Sequence, residues 1–473
     1  RRTRPETLSM IDLVSKEELI RRYDGAGPRY TSYPAATEFH ERFDRDAFER
    51  HLHNSNESLI PRPLSFYIHL PFCRHLCFFC ACNKIVTRDE TKALGYLDWL
   101  KHEIEILCAK LDTDRRVIQL HLGGGTPTFF QPEQIRQLVD HIQRHTQLPL
   151  DNDREWSIEI DPRTVSRGSL KQLHDVGFDR ISVGVQDLDT KVQQAIHRTQ
   201  SPPETIEVIN HARDVGFQSV CVDLIIGLPF QTSHSFARTL SRLLFLRPNR
   251  FAIFPYAHLP HRFTPQQRIL ATDLPSAKER LKIFELTLRT LTEAGYVHVG
   301  LDHFVLPEDP LARAQKNGSL CRNFQGYATR PDCDLIGFGT SAISKLARCY
   351  SQNSHDLTKY LGEITHQRLP ITRGISLSDD DLIRRRVIEQ LMCFGRVNLG
   401  LVLESYRDVT EPVDYFPHEL SKLIPFANDG LLTLSPDFII EVTPLGRFLV
   451  RAICMVFDRY RNEANPVSHS RLT

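Results

Sequence analysis

Short apolar, β-branched runs alternate with longer amphipathic stretches from about residue 65 to residue 300. The apolar runs predict strands over residues 66–70, 117–121, 156–160, 181–185, 219–226 and 251–256. The stretches between them have helical period and predict helices over residues 91–110, 132–144, 167–174, 191–197, 203–215 and 233–244. Repeated strand–helix units fold into a parallel sheet covered by helices. Six units are fewer than a closed eight-fold barrel needs, so we predict an α/β fold built on an open, partial (β/α)6 barrel. Its working face is the carboxyl end of the strands.

The chain on either side of this barrel, which we assign to residues 61–300, has a different pattern. Residues 1–60 are predicted to form a lead-in segment with one polar helix over residues 15–23. Residues 301–370 are predicted to extend the barrel and complete its site, and residues 371–473 to form a mostly helical C-terminal domain.

Within that C-terminal domain, a helix over residues 380–395, capped by Ser376 or Ser378, precedes a hairpin over residues 430–442 and a helix over residues 444–459. A winged-helix module has the same order of elements. Basic residues are not concentrated there, which favours a packing domain over a nucleic-acid-binding one.

The composition excludes several classes of protein. The 473 residues include 59 Lys and Arg against 58 Asp and Glu, so the formal charge is +1. This balance gives no electrostatic reason to bind nucleic acid or an anionic membrane. The mean hydropathy is −0.30, and no window of about 18 residues lacks charges, so we expect no transmembrane helix. The basic start at Arg1, Arg2 and Arg4 is not followed by an apolar run, so we expect no targeting segment and a cytoplasmic location.

Four of the eleven cysteines lie within ten residues, as Cys73-x-x-x-Cys77-x-x-Cys80-x-Cys82, directly after the first predicted strand. A zinc knuckle usually takes two separated cysteine pairs, which one tight loop does not provide. Closely spaced thiolates suit an iron–sulfur cluster, and we favour that cluster over the zinc alternative. The remaining cysteines are scattered among apolar residues, and we expect them to be small buried residues: Cys108, Cys221, Cys321, Cys333, Cys349, Cys393 and Cys454.

A Gly-Gly-Gly-Thr run over residues 123–126 follows the second predicted strand, one strand–helix unit beyond the cysteines. Glycines let backbone groups approach a ligand closely. The cysteine spacing and this run together resemble the radical S-adenosylmethionine (SAM) family. In that family three thiolates hold a [4Fe–4S] cluster, whose fourth iron stays open for SAM. The resemblance implies that Cys73, Cys77 and Cys80 hold one such cluster, and that Cys82 is not a ligand but matters for turnover.

Further segments narrow the resemblance to one family, and they cover residues 27–34, 67–73, 80–84, 184–187, 223–229 and 322–327. They are similar to the oxygen-independent coproporphyrinogen III oxidases (dehydrogenases), over most of the chain from about residue 23 to about residue 459. Related haem chaperones generally lack Cys82 and the 322–327 segment, and a haem chaperone without oxidase activity is the alternative. Ala81, Leu122 and Cys321 stand where the family often has Gly, Trp and His, so the role of that histidine is left unassigned.

The resemblance implies the oxidative decarboxylation of two propionates of coproporphyrinogen III to vinyl groups, which gives protoporphyrinogen IX for haem synthesis. A 5′-deoxyadenosyl radical derived from SAM would take a hydrogen from the propionate β-carbon, and loss of carbon dioxide and an electron would leave the alkene. The reaction needs an electron donor and a final acceptor, which the sequence does not identify. We expect a monomer without nucleic-acid or membrane partners. A third hypothesis is a zinc-stabilised nucleic-acid-binding protein that uses the C-terminal domain.

The family binds two SAM molecules near the cluster, and the matching positions imply two sets of contacts. Those to the first molecule are Tyr67, Gly124, Glu159 and Ile343. Those to the second molecule are Phe79, Gly125, Thr126, Gln186, Arg198, Asp223 and Ala257. A tetra-anionic substrate also needs cationic partners in a largely non-polar cavity. Arg29, Arg322 and the nearby Tyr30 are the candidates for its carboxylates, with surface salt bridges as the alternative for both arginines.

Overall fold

The computed structural model describes residues 15–149, 154–406 and 415–461. The basic start at Arg1, Arg2 and Arg4 therefore lies outside the described residues, as do the outer ends of the lead-in and C-terminal segments. The strands are β1 Leu64–Leu70, β2 Phe72–Cys73, β3 Ile85–Val86, β4 Val117–Gly124, β5 Glu155–Ile160, β6 Arg180–Gln186, β7 Ser219–Ile226, β8 Arg250–Pro255, β9 Val297–Gly300, β10 His303–Val305, β11 Cys321–Asn323, β12 Gly326–Ala328, β13 Asp334–Phe338, β14 Ile343–Leu346, β15 Cys349–Asn353, β16 Ile371–Ser376, β17 Arg396–Asn398, β18 Leu432–Leu434 and β19 Ile439–Val442. The helices are α1 Glu17–Tyr23, α2 Arg45–Asn56, α3 Glu90–Cys108, α4 Pro132–His145, α5 Arg167–Val176, α6 Thr190–Ala195, α7 Pro202–Asp214, α8 Ser233–Phe245, α9 Ala277–Glu293, α10 Pro310–Asn317, α11 Leu357–Thr365, α12 Asp379–Phe394, α13 Leu399–Glu404, α14 Pro417–Asn428 and α15 Val450–Met455.

One large sheet organises the described residues, with the strand order β16-β15-β14-β13-β1-β4-β5-β6-β7-β8-β10-β9. Strands β1 and β4 to β8 are parallel and are the six predicted strands, and α3 to α8 are the six predicted helices. The end strands β16 and β9 do not pair with each other within the described ranges, so the barrel is open. The predicted α/β fold with a partial (β/α)6 barrel is confirmed.

β1 is the first strand of the chain, but it is not at the edge of the sheet. β13 pairs in parallel with the outer side of β1, with Leu64 opposite Asp334 and Tyr67 opposite Gly337. Antiparallel strands then extend the sheet on both sides, β14 to β16 beyond β13 and β10 and β9 beyond β8. β1, which leads into the cysteine loop, is therefore an interior strand.

Alternation along the strands separates an apolar outer face from a polar inner face. On β6, Ile181, Val183 and Val185 are buried, while Ser182 between them and Gln186 after them are only partly buried. The apolar set packs against residues of the covering helices in one continuous core. The polar set is left to face the interior of the barrel, where a site can form.

A second core connects the N-terminal segment with the C-terminal region. Ile20 of α1, Tyr30 and Tyr33 pack with apolar residues of α12 and α15. The predicted helix α12 is confirmed, and the hydroxyl of Ser378 caps it by accepting from the amide of Asp381 at 3.2 Å. This cap follows the usual preference for a serine at a helix start.

The predicted C-terminal hairpin is β18–β19, and β17 adds a third antiparallel strand to it. The helix predicted over residues 444–459 is shorter, because a 3-10 turn over Gly446–Leu449 precedes α15. None of the described helices combines the length and the apolar character needed to span a membrane.

Candidate active site

The cysteine loop leaves β1 at the carboxyl end of the sheet, where the sequence predicted a site. Its base is closed by the pairing of β2 with β3, in which Cys73 lies opposite Val86. Cys73, Cys77, Cys80 and Cys82 all line one cavity of about 860 Å³, which we call the cysteine cavity. The fold thus brings the four clustered cysteines to one place.

The glycine run at the end of β4 packs directly against this loop. A Cβ on Gly125 would lie 2.6 Å from the carbonyl carbon of Pro71, and one on Gly124 would lie 2.5 Å from the ring of His69. Gly124 also has a φ of +110°, which side chains disfavour. The amide of Gly125 donates to the carbonyl of Leu70 at 2.9 Å. Glycine is therefore required here by the close approach of two loops.

Side chains from outside the cysteine loop donate hydrogen bonds to the sulfurs of Cys73 and Cys77. The hydroxyl of Thr126 donates to Sγ of Cys73 at 3.4 Å, and the guanidinium of Arg198 donates to Sγ of Cys77 at 3.6 Å. Donors of this kind stabilise thiolates, which are the form that binds metal.

The cysteine thiols differ in their ease of ionisation. A hydrogen bond from Cys82 and the nearby Lys84 lower the pKa of Cys80 to about 6. The same contact with Cys80 raises the pKa of Cys82 well above its usual value. Burial raises the pKa of Cys73 to about 11, so binding of a metal there must displace its proton.

The spread of the sulfurs fits a cluster better than a single zinc ion. A tetrahedral zinc site with Zn–S bonds of about 2.3 Å holds its sulfurs about 3.8 Å apart. Among the described residues, one group of three potential metal ligands has all its ligand atoms within 4.8 Å of one another, and it consists of Glu105, His141 and His145 on α3 and α4. No three of the clustered cysteines, which all lie in the described part of the chain, meet that distance. The zinc-knuckle alternative is therefore not favoured, whereas three separated thiolates in one cavity suit a [4Fe–4S] cluster.

Glu159, at the end of β5, also lines the cysteine cavity. One carboxylate oxygen lies 3.3 Å from Nε2 of His121, and the other accepts from the amide of Gly124 at 3.1 Å. Burial acts to raise the pKa of Glu159, but His121 and this amide more than offset it, so the pKa lies below its usual value. Glu159 is thus an ionised acceptor beside the glycine run.

Arg198 forms a buried ion pair with Asp161 at 3.1 Å and donates to the carbonyl of Gly184 at 2.7 Å. Arg163 contacts the same carboxylate at 2.6 Å. Burial opposes the charge on Asp161, but Arg198 and Arg163 together lower its pKa to about 2. The Nε atom of Arg198 is buried without a hydrogen-bond partner among the described residues. Sequence reasoning missed Asp161, although its place directly after β5 was a usable signal.

Most of the predicted SAM residues line the cysteine cavity together, and they are Phe79, Gly124, Gly125, Thr126, Glu159, Gln186, Arg198 and Asp223. Tyr67, Ala257 and Ile343 do not line it. Tyr67 lies on β1 with its hydroxyl 3.2 Å from Nδ1 of His69. Ile343 packs over Gly337, the residue paired with Tyr67, so these two predicted contacts lie close to each other. Ala257 follows the end of β8 and is partly buried.

A second cavity of about 940 Å³ adjoins the first one inside the barrel, and we call it the lumen cavity. Both cavities are lined by Glu159, Ser182 and Asp223. The hydroxyl of Ser182 lies 2.7 Å from each carboxylate oxygen of Asp223. Burial raises the pKa of Asp223 to about 6, so this carboxyl is easily protonated at the junction of the two cavities.

The three candidate substrate residues lie outside the cysteine cavity. Arg29 forms an ion pair with Asp302 at 2.5 Å, and Arg322 donates to the Arg29 carbonyl at 3.3 Å. The Arg322 side chain is 3% exposed, so a surface salt bridge does not describe it. Tyr30 donates to Asp458 at 3.0 Å.

Of the seven scattered cysteines, six are buried as expected and Cys221 is partly buried.

Comparison with known proteins extends these observations. The profile of the Radical SAM superfamily matches residues 67–243. The chain is 44% identical over 469 residues to the oxygen-independent coproporphyrinogen III oxidase of Pseudomonas aeruginosa, covering 98% of this chain and 100% of that protein. It is 46% identical to the protein of the same name from Escherichia coli, covering 96% and 97% of the two chains. The solved structure of coproporphyrinogen III oxidase from Escherichia coli, described as a radical SAM enzyme, matches with a TM-score of 0.87 and 45% identity over 92% of this chain and 98% of that chain.

These similarities run over nearly the full length of both partners and include the cysteine loop and the glycine run. The relatives are named as oxidases, so the haem-chaperone alternative is not favoured. The chain therefore belongs to the family of oxygen-independent coproporphyrinogen III oxidases, within the radical SAM superfamily.

Proposed function

We propose that the chain converts coproporphyrinogen III into protoporphyrinogen IX without oxygen, by oxidative decarboxylation of two propionates to vinyl groups. The observation that carries this proposal is the joining of two cavities at Glu159, Ser182 and Asp223. One cavity holds the clustered cysteines, and the other offers a chamber in the barrel for a substrate. A [4Fe–4S] cluster with SAM supplies, when bound, a 5′-deoxyadenosyl radical that can take a hydrogen atom from an unactivated carbon.

Cys73, Cys77 and Cys80 would hold the cluster. The donors Thr126 and Arg198 hydrogen-bond two of these sulfurs, and such bonds help to set the reduction potential of a cluster. Cys82 is exposed at the same cavity. We assign it a role in turnover and not in binding the cluster.

Two SAM molecules are part of the proposal. Glu159 is an ionised acceptor suited to the amine or ribose hydroxyls of the first molecule, with Gly124, Tyr67 and Ile343 as its further contacts. The second molecule would contact Phe79, Gly125, Thr126, Gln186, Arg198, Asp223 and Ala257. The buried and unpartnered Nε of Arg198 offers a donor for a carboxylate there.

The lumen cavity would hold the reacting propionate away from water. Phe254 and Tyr327 contribute aromatic surface to it, and Asp223 stands at its junction with the cysteine cavity. For each propionate, one hydrogen atom leaves the β-carbon, carbon dioxide leaves the carboxylate, and one electron passes to an acceptor. The electron donor that prepares each cycle and this acceptor are external partners, and their identities are open.

The organisation of the chain is proposed as predicted, with a lead-in segment over residues 1–60, a barrel over residues 61–300, an extension over residues 301–370 and a C-terminal domain over residues 371–473. The chain is also proposed to act as a monomer in the cytoplasm. All eleven cysteines lie within the described residues and are free thiols, which suits a reducing compartment.

The deciding experiment is anaerobic reconstitution with iron and sulfide, followed by incubation with SAM, a reductant and coproporphyrinogen III. We expect 5′-deoxyadenosine and a vinyl-containing product, and we expect neither from Cys73→Ser. A protein that binds haem tightly but forms no vinyl product would instead be a haem chaperone.

A further inference from the structure

A cavity of about 950 Å³ lies apart from both cavities of the proposed active site. Its walls come from the ends of β7 and β8, from α9, and from residues near 300 and 450. Much of the lining is apolar, including Ile226, Ile253, Phe284 and Phe448. Four arginines also line it, Arg29, Arg280, Arg447 and Arg451, and we call it the arginine cavity.

The charges around this cavity are unbalanced. Asp302 is the one acidic residue among the described residues that line it, against four guanidinium groups. Arg29 forms the ion pair with Asp302 at 2.5 Å, and His303 contacts the other oxygen of that carboxylate at 2.6 Å. Cationic groups in apolar surroundings are costly unless an anion accompanies them. The cavity is therefore complementary to an anionic ligand.

Two of the other arginines donate hydrogen bonds to backbone carbonyls. Arg447 donates to the carbonyl of Phe394 at 3.4 Å, and Arg451 donates to the carbonyl of Pro28 at 2.9 Å. Nε of Arg280 is buried without a hydrogen-bond partner in the described part of the chain. Burial lowers the pKa of Arg447 and lowers that of Arg451 to about 9, as expected for cations in an apolar place.

The arginine cavity and the lumen cavity are neighbours, because residues that line one contact residues that line the other. The guanidinium of Arg29 lies 5.5 Å from the ring centre of Phe254, which lines the lumen cavity. Asp302 lines the arginine cavity, whereas its hydrogen-bond partner His303 lines the lumen cavity. Arg29, Asp302 and His303 thus lie between the chamber proposed for the substrate and the other three arginines.

We propose that the arginine cavity binds carboxylates of a propionate-bearing tetrapyrrole, with Arg280 and Arg447 as the carboxylate partners. This inference rests on the proposed function, because that reaction leaves two of four propionates unchanged. Those two groups are present in substrate and product alike, and a site that holds them serves both decarboxylations. The apolar walls suit a ligand whose body is a hydrocarbon macrocycle, and guanidinium groups bind carboxylates through paired hydrogen bonds.

The test measures, by fluorescence, how tightly the purified chain binds coproporphyrin III. This compound is the air-stable oxidised form of the substrate. We expect Arg280→Ala and Arg447→Ala each to raise the dissociation constant about tenfold or more, as for a lost hydrogen bond to a charged group. Arg386→Ala is the matched control, because Arg386 is a half-exposed arginine paired with Glu389. It should bind as the unmodified chain does.

A second variant keeps every arginine and fills the space instead. Ala277 lines the arginine cavity at the exposed first residue of α9. Ala277→Phe should therefore weaken binding without changing the charge, and it decides the matter if the arginine variants fold poorly. Unchanged binding in Ala277→Phe and in the folded arginine variants would overturn the proposal. So would equal displacement of coproporphyrin III by inorganic phosphate at the same concentration, which would indicate a general anion site.

The two proposals fail in different ways. Vinyl product formed at the normal rate and affinity by Arg280→Ala and Arg447→Ala would remove the arginine cavity from the scheme and leave the function standing. The opposite result is a reconstituted chain that makes neither 5′-deoxyadenosine nor vinyl product but still binds coproporphyrin III through both arginines. That result would overturn the proposed function and leave the arginine cavity as a binding site.

Discussion

Arg198 and Asp161 form an ion pair of 3.1 Å, with both side chains less than a tenth exposed, at the cysteine cavity. The same guanidinium donates to Sγ of Cys77. One arginine therefore connects the end of β5 with the loop proposed to carry the cluster. The position of Arg198 depends on the carboxylate of Asp161, which is kept ionised by Arg198 and Arg163.

Asp161→Asn keeps the size of the side chain and removes its charge, so Arg198 and Arg163 are left without their anion. Breaking a buried ion pair costs about 3 kcal/mol or more. We expect the free energy of unfolding in urea to fall by about that amount, and the iron content after reconstitution to fall as well. Asp189→Asn is the control, because Asp189 pairs with the exposed Arg238 at 3.2 Å. Equal effects of the two variants would show that the buried pair has no special role.

Cys82→Ser should separate binding of the cluster from turnover. Cys82 is exposed, and the proposed site needs three thiolates. We expect the variant to keep its iron and its Mössbauer spectrum but to form little vinyl product. Cys73→Ser should lose the cluster. Loss of iron from Cys82→Ser would make Cys82 a ligand and leave no open iron.

Gly125→Ala tests the close packing of the glycine run on the cysteine loop. The added Cβ would lie 2.6 Å from the backbone of Pro71 and 2.9 Å from the carbonyl oxygen of Phe72. Because both neighbours are backbone atoms, we expect a loss of about 1–3 kcal/mol in unfolding free energy and poor cluster incorporation. Gly95→Ala has no atom within 4 Å of its new Cβ and lies inside α3. It should stabilise the chain by up to about 1 kcal/mol. An unchanged unfolding free energy in Gly125→Ala would contradict the close approach of the two loops.

His298 should make stability depend on pH. Burial lowers its pKa from 6.5 to about 4 in the folded chain. Between these values the unfolded chain binds the proton and the folded chain does not, so stability falls as the pH falls from about 6.5 to 4. The full effect is about 3 kcal/mol.

His298→Phe should flatten this part of the pH profile in urea unfolding. His53→Gln is the control, because His53 is exposed, and this variant should leave the pH profile unchanged. An unchanged slope in His298→Phe would assign the pH dependence to other groups.

Sequence reasoning succeeded where the signal was local. The cysteine spacing, the glycine run and the polar residues at strand ends each follow from neighbouring residues, and parallel strands bring their ends together. It failed where distant segments meet. Nothing local in residues 334–338 shows that they pair beside β1, and Arg280 and Arg447 belong to one cavity only because α9 packs near the C-terminal region. Asp161 was missed because a single carboxylate after a strand gives no sign of its partner across the sheet.

The pairing of β13 with β1 has a consequence for biosynthesis on the ribosome. Until residues 334–338 have emerged, the strand that leads into the cysteine loop has one unpaired edge, and such edges invite wrong partners. A nascent chain that ends near residue 300 would contain every cysteine of the loop but lack this neighbour. Iron loading should therefore follow release of nearly the whole polypeptide, and fragments truncated before β13 should aggregate.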